Sequence, residues 1–230
     1  MLENTYHHDL EVVVLRMVAG SVVNYNYLVI DTNSRQALIV DPAWEMTKIE
    51  FALYSHSVQL KGILITHSHH DHLNLAEPLS KKYNVPIWMS QQEIGFSNYH
   101  SPNLESIQKD SWCVGALNIV PMLTPGHTPG CICYEIGGNI FTGDVLFAEG
   151  CGLVPDLNAA YDMFHSLEYL KSKVSKSSRI YPGHSYGKKP GQLFSDVLDN
   201  NIYLHFNDKN SFAAFRLRKN QAKSNIFNFR

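Results

Sequence analysis

No apolar run in these 230 residues approaches the roughly 20 that a membrane span requires. The opening stretch MLENTYHHDLEVVV also lacks the basic-then-apolar layout of a secretory leader. A cytoplasmic chain without membrane contact is the expectation. Cysteine is scarce: Cys113, Cys131, Cys133 and Cys151 form no CxxC pair. That spacing leaves out a zinc ribbon, and a chain of this length has no need of disulfide staples. The four read as reduced thiols in the core or near a site. Repeats, low-complexity tracts and linkers are missing too, and the composition is 44% hydrophobic against 17% charged. Such a chain is globular rather than disordered, and one domain over residues 1–230 is the simplest account.

Net charge is only −2, but it is unevenly spread. Residues 1–168 hold 7 Lys and Arg against 18 Asp and Glu, while residues 169–230 hold 12 against 3. Lys171, Lys173, Lys176, Arg179, Lys188 and Lys189 have no acid among them, and neither do Lys209, Arg216, Arg218, Lys219, Lys223 and Arg230. This asymmetry suits an acidic partner. It has no interleaved aromatic platform of the kind that binds nucleic acid, so no nucleic-acid partner is expected.

β-branched and apolar runs predict strands at 11–18, 25–31 and 37–41, a helix from Glu45 to Ser55, and a buried strand KGILIT at 61–66. Beyond it, LNLAEPLSKKY predicts a helix, PIWMS a strand and QQEIGFSNY a helix. Strands are predicted at 112–121, 131–136 and 139–142, and a helix at 156–174, where Met163, Leu167, Leu170 and Val174 share a face. The strand SRIYP, the turn GHSYG and a helix from Gln192 to Phe206 follow.

Directly after GILI comes THSHHDH, four histidines and an aspartate in seven residues. In extended chain alternate residues share a side, so His67 and His69 can reach one metal; a turn then lets Asp71 and His72 face a second. Imidazole and carboxylate suit zinc, and also iron or manganese. Three later segments complete two ligand sets: TPGHTPG offers His127, FTGD offers Asp144 and YPGHS offers His184. Each of these residues follows a glycine, as expected where backbone passes close to a site.

With HxHxDH, TPGH, TGD and PGH all in place, the chain resembles the metallo-β-lactamase superfamily over nearly its whole length. The resemblance implies an α/β fold, the αββα four-layer sandwich. It also implies two Zn²⁺ ions, one on His67, His69 and His127, the other on Asp71, His72 and His184, with Asp144 bridging. His70 matches no ligand position. Asp41, in IVDPA, matches a strand-end aspartate that orients a metal-bound histidine. Paired divalent ions make hydroxide available near neutral pH and polarise the bond under attack. The implied chemistry is hydrolytic, with Asp71 and Asp144 as its catalytic carboxylates.

GDVLFAEGCG (143–152) resembles glyoxalase II, a thioesterase acting on acyl-glutathione. That family follows GCG with a basic residue that holds glutathione, whereas this chain has Leu153. The VNYNYLV segment, LFAEGCG and a short C-terminus are most similar to the zinc-dependent hydrolases of bacterial trans-acyltransferase polyketide synthases, the PksB/BaeB type. This resemblance implies an acyl carrier protein as partner and acyl-phosphopantetheine thioesters as substrate. Hydroxyacylglutathione hydrolase, a mono-iron persulfide dioxygenase and a lactonase stay open as alternatives. Tyr186, after His184, is a candidate packed aromatic near the site.

Overall fold

The structure, a computed structural model, describes residues 9–218. The expectations resting on Lys219, Lys223 and Arg230 lie outside the described residues. The first half runs β1 (Leu10–Ala19), β2 (Val22–Asp31), β3 (Gln36–Val40), α1 (Met46–Ser55), β4 (Gln59–Leu64), α2 (His70–Leu73), α3 (Ala76–Tyr83), β5 (Ile87–Ser90), α4 (Gln91–Ser97) and β6 (Leu104–Ile107). The second half runs β7 (Trp112–Val114), β8 (Leu117–Leu123), β9 (Ile132–Ile136), β10 (Asn139–Gly143), α5 (Leu157–Lys173), β11 (Arg179–Pro182), β12 (Gln192–Leu193), α6 (Phe194–Asn200) and α7 (Lys209–Arg216). None of the described helices is long and apolar enough to cross a membrane.

The strands form two six-stranded sheets, ordered β1-β2-β3-β4-β5-β6 and β12-β11-β10-β9-β8-β7. Period-2 alternation sorts their side chains into layers. In β2 and β3, Leu28, Ile30, Ala37 and Ile39 face outward to Ile49 and Leu53 of α1 and Leu79 of α3. Their neighbours Tyr27, Val29, Leu38 and Val40 face inward to Ile119, Ile132, Tyr134 and Phe141 of the second sheet. Ile140 and Ile180 of that sheet face out to Met163, Leu167 and Leu170 of α5 and to Phe212 of α7. The result is the expected helix, sheet, sheet, helix stack.

α5 forms where its period predicts. The Asp156 side chain accepts from Ala159 N at 2.9 Å and caps the first turn. Other elements correct the sequence reading. The expected strand 112–121 is two strands, because Gly115 turns the chain at φ +60°. The expected helix from Gln192 to Phe206 starts with strand, since Arg179 pairs with Leu193. It stops at Asn201, whose side chain donates to Phe147 O (3.0 Å) and Gly150 O (2.9 Å) and caps a 3₁₀ turn at Ile202–Leu204. β6 has no counterpart among the predicted elements.

β3 and β4 are parallel, and so are β10 and β11. Their C-terminal ends, followed by Asp41, His67, Asp144 and His184, therefore lie at one edge of the sandwich. Backbone bonds from Ile132 N to Thr66 O (3.0 Å) and from Tyr25 N to Gly183 O (2.8 Å) tie the two sheets together there.

Candidate metal centre

After β4 the chain stays extended through His69 (φ −65°, ψ 145°) and then enters the single turn of α2. This change aims His67 and His69 at one point and Asp71 and His72 at another. His67 Nε2 lies 3.1 Å from His69 Nδ1, which lies 2.9 Å from His127 Nε2. His127 comes from the β8–β9 loop. A second trio forms where His184 Nε2 and His72 Nε2 lie 3.3 and 3.6 Å from Asp71 Oδ2. Within each trio all donor atoms are within 4.8 Å of one another.

Asp144 stands between the trios. Its Oδ1 is 3.5 Å from His72 Nε2 and 3.6 Å from His184 Nε2, while its Oδ2 is 3.5 Å from His127 Nε2. All seven residues anticipated from the sequence meet in one place. His70 is exposed on α2 and belongs to neither trio.

The outward-facing ring nitrogens are also engaged. His72 Nδ1 lies 3.0 Å from Asp41 Oδ2, His127 Nδ1 is 2.7 Å from Leu153 O, and His184 Nδ1 is 2.8 Å from Val23 O. Thr66 donates its one hydroxyl proton to Asp41 Oδ2 (2.6 Å), so toward His67 Nδ1 (3.1 Å) it accepts. Each of these contacts puts the ring proton on Nδ1 and leaves Nε2 as a lone-pair donor toward the centre. Carboxylate Asp41 also completes a third acid–imidazole group with His67 and His72. Its oxygens are already taken by Thr66 and His72, which makes it a support of the site.

Electrostatics separate the two trios. Burial, then the neighbouring imidazoles, push His67 well below the ordinary histidine range; burial and His127 likewise lower His69. Burial acts the same way on His72, but Asp144, Asp41 and Asp71 outweigh it and raise His72 to about 9. His184 is raised by Asp144 and Asp71 against its burial. Asp71 and Asp144 are held below the usual carboxylate range, against burial, by His184 and His72. Such a cluster of buried bases and acids suits divalent cations, whose charge replaces the protons. His72 Nε2 and Asp144 Oδ1 are buried without a hydrogen-bond partner among the described residues, the condition that a coordinated ion relieves. The residues fit a metal pair.

Several supporting residues had escaped the sequence reading. Asn24 and Asn26, fully buried on β2, donate to the backbone oxygens of Asp71 and Asp41. In the sequence they look like the polar phase of a strand. Glu93 bonds Ser68, Thr128 and Gly130. Arg216 of α7, counted above with the basic surface, is instead buried and donates from Nε to Gly152 O at 2.8 Å. Cys131, Cys133 and Cys151 are buried free thiols, and Cys113 is an exposed one.

A cavity of about 630 Å³ opens on the centre, lined by His69, Asp71, His127 and Asp144, by the apolar Trp44, Phe96, Leu153 and Val154, and by Arg216. Tyr186 lines it too and packs on Phe147 with ring centroids 5.2 Å apart.

Residues 20–184 match the model of the metallo-beta-lactamase superfamily. The chain is 44% identical over 209 residues to the probable polyketide biosynthesis zinc-dependent hydrolase BaeB of Bacillus velezensis, and 43% identical to PksB of Bacillus subtilis, which bears the same description. In both comparisons 90% of this chain and 92% of the relative are covered. The crystal structure of ETHE1 from Myxococcus xanthus superposes with a TM-score of 0.78 at 24% identity, covering 94% of each chain, and so shares the fold. The family model, the two relatives and the paired sheets agree: the chain belongs to the metallo-β-lactamase superfamily.

Proposed function

We propose that the chain is a dinuclear zinc hydrolase that cleaves acyl thioesters from the phosphopantetheine arm of an acyl carrier protein in polyketide biosynthesis. The observation that carries this reading is the pair of donor trios joined by Asp144 in a largely apolar cavity. His67, His69 and His127 would hold one ion and Asp71, His72 and His184 the other, with Asp144 shared; iron or manganese suits the same donors. When bound, the ions supply a hydroxide nucleophile near neutral pH and a Lewis acid for the carbonyl.

The chain's own residues do the rest. Asp71, kept ionised by His184 and His72, offers an acceptor that orients the attacking water. Asp41, Thr66, Leu153 O and Val23 O fix the imidazole tautomers. Trp44, Phe96, Leu153 and Val154 exclude water and bear against an apolar acyl chain and thioester arm. Leu153 leaves an acyl-glutathione without a cation at the position after GCG, while Arg216, which lines the cavity, spends its Nε–H on Gly152 O. Exposed Lys173, Lys176, Arg179, Lys188, Lys189 and Lys209 suit the acidic surface of a carrier protein. The names of BaeB and PksB, polyketide biosynthesis and zinc-dependent hydrolysis, point the same way.

The test is mass spectrometry of acyl carrier proteins bearing different acyl groups after incubation with the zinc-loaded enzyme. Short or unbranched acyl groups are expected to leave, exposing the free thiol arm. His69→Ala is expected to abolish release while His70→Ala keeps it. Unchanged carriers beside rapid cleavage of acyl-glutathione would replace the substrate with that of hydroxyacylglutathione hydrolases. Opening of an acyl-homoserine lactone in preference to any thioester would make it a lactonase. About one iron per chain with oxygen uptake on a persulfide would overturn the hydrolase itself.

A further inference from the structure

Glu93 is a fully buried carboxylate, and no Lys or Arg pairs with it among the described residues. Its charge is satisfied by four donors from two loops. Oε1 accepts from Ser68 N (2.7 Å) and Ser68 Oγ (2.6 Å). Oε2 accepts from Thr128 Oγ1 (2.6 Å) and Gly130 N (3.1 Å). Ser68 sits between His67 and His69, and Thr128 follows His127. One carboxylate thus spans both loops that carry the three-histidine trio.

The packing around it is close. A Cβ added at Gly130 would lie 2.1 Å from Glu93 N and 2.5 Å from its Cα, so the loop presses on the first turn of α4. Ser90 accepts from Glu93 N at 3.0 Å and donates to Gly130 O at 2.5 Å, pinning the same contact from the other side. The sequence SQQE looks like a capping box, in which the glutamate would turn back to the backbone N–H of Ser90. Here its side chain leaves the helix and joins the two loops instead.

We propose that Glu93 is a positioning residue for the three-histidine metal site, a latch that sets the distance between the His67–His69 segment and His127. The inference rests on the ligand set proposed above. The carboxylate does this with two acceptor oxygens, one for each loop. Each side of Glu93 faces a backbone N–H, of Ser68 or of Gly130, that cannot rotate away. Glutamine has one acceptor oxygen, so its NH₂ must confront one of the two loops donor to donor. Aspartate is one methylene short of spanning both. Disturbing partners that orient metal ligands typically costs about 10–100-fold in metal affinity.

The experiment measures Zn²⁺ affinity by competition with a chromophoric chelator, and the visible absorption of the Co²⁺-loaded protein, for the wild-type full chain and Glu93→Gln. Glu105→Gln serves as control, since Glu105 Oε2 accepts from Trp88 Nε1 at 2.7 Å far from the ligand loops in sequence. Expected for Glu93→Gln is a 10–100-fold weaker first Zn²⁺ and an altered Co²⁺ band, with Glu105→Gln like wild type in both. Should Glu93→Gln fail to fold, Ser68→Ala with Thr128→Val removes the two hydroxyl donors and keeps both backbone N–H groups; at least tenfold weaker Zn²⁺ is then expected. A folded Glu93→Gln, or that folded pair, with wild-type affinity and spectrum overturns the latch. Wild-type affinity in His67→Ala and His127→Ala instead overturns the ligand set and the latch with it.

Discussion

Asp41 Oδ2 lies 3.0 Å from His72 Nδ1, and the same carboxylate accepts from Thr66 N at 2.8 Å and Thr66 Oγ1 at 2.6 Å. Asp41 holds a left-handed backbone (φ 50°) whose carbonyl accepts from Asn26. Asparagine also tolerates that conformation, so Asp41→Asn probes the hydrogen bonds rather than the backbone. Its NH₂ would confront either the fixed Thr66 N–H or the His72 Nδ1–H. Relief comes by moving the His72 proton to Nε2, the atom the second trio needs. Expected is a 10–100-fold loss of Zn²⁺ affinity, measured as zinc retained after dialysis against a chelator, with unchanged secondary structure by circular dichroism.

Gly183 precedes His184, and any Cβ there would lie 2.5 Å from His72 Cε1 and 2.6 Å from Asp144 Oδ1. The backbone cannot step aside, because Gly183 N donates to Gly143 O and its carbonyl accepts from Tyr25 N, both at 2.8 Å. Gly183→Ala is therefore expected to cost about 1–3 kcal/mol through overpacking. For a chain of this size that lowers Tm by about 2–4 °C per kcal/mol, and bound zinc falls although no ligand is replaced. Gly95, in α4 with nothing within 4 Å of an added Cβ, is the control: Gly95→Ala keeps Tm or raises it. Equal Tm and zinc content for the two variants would refute the argument.

The candidate ligands were legible in the sequence because each is an unusual residue in a constrained place. A histidine or aspartate after glycine near a strand end has few structural uses, and three of them, His127, Asp144 and His184, join the four of HxHxDH to give two trios with Asp144 between them. Their supports were not legible, because each looks ordinary locally. Glu93 sits in a capping-box pattern, Asn24 and Asn26 alternate in a strand as exposed residues would, and Arg216 belongs to a basic run. Their roles depend on which loop packs against them, which periodicity does not carry. The same holds for the stretch after Gln192, where pairing of Leu193 with Arg179 and the capping by Asn201 override a helical pattern.

Burial raises the Cys131 thiol well above its ordinary range, and raises Cys133 and Cys151 to about 12 each, Arg216 only partly offsetting this at Cys151. At pH 8 these three stay protonated, and the thiol form is not nucleophilic. A chromogenic disulfide reagent is expected to titrate one thiol quickly in the native protein, the exposed Cys113, and all four after denaturation. Cys113→Ser removes the fast phase. Cys151 makes the test stringent, since it lines the cavity; a fast phase that persists in Cys113→Ser would show that cavity access outweighs burial.

Leu153 occupies two roles that substitution can separate. Its carbonyl accepts from His127 Nδ1 at 2.7 Å, while its side chain is part of the cavity wall. Leu153→Lys keeps the first and changes the second, placing an ammonium where the sequence after GCG lacks one. A charge-assisted contact to a glutathione carboxylate contributes about 1.5–3 kcal/mol, which corresponds to about tenfold or more in kcat/KM. Expected is that gain on an acyl-glutathione, mainly through KM, with no gain on an uncharged acyl-pantetheine carrying the same acyl group. Zinc content should match wild type, because the backbone contact to His127 is untouched. An equal gain on both thioesters would mean that the lysine acts on the reaction centre rather than on the substrate's charge, and no gain on either would remove Leu153 from the account of why glutathione is disfavoured.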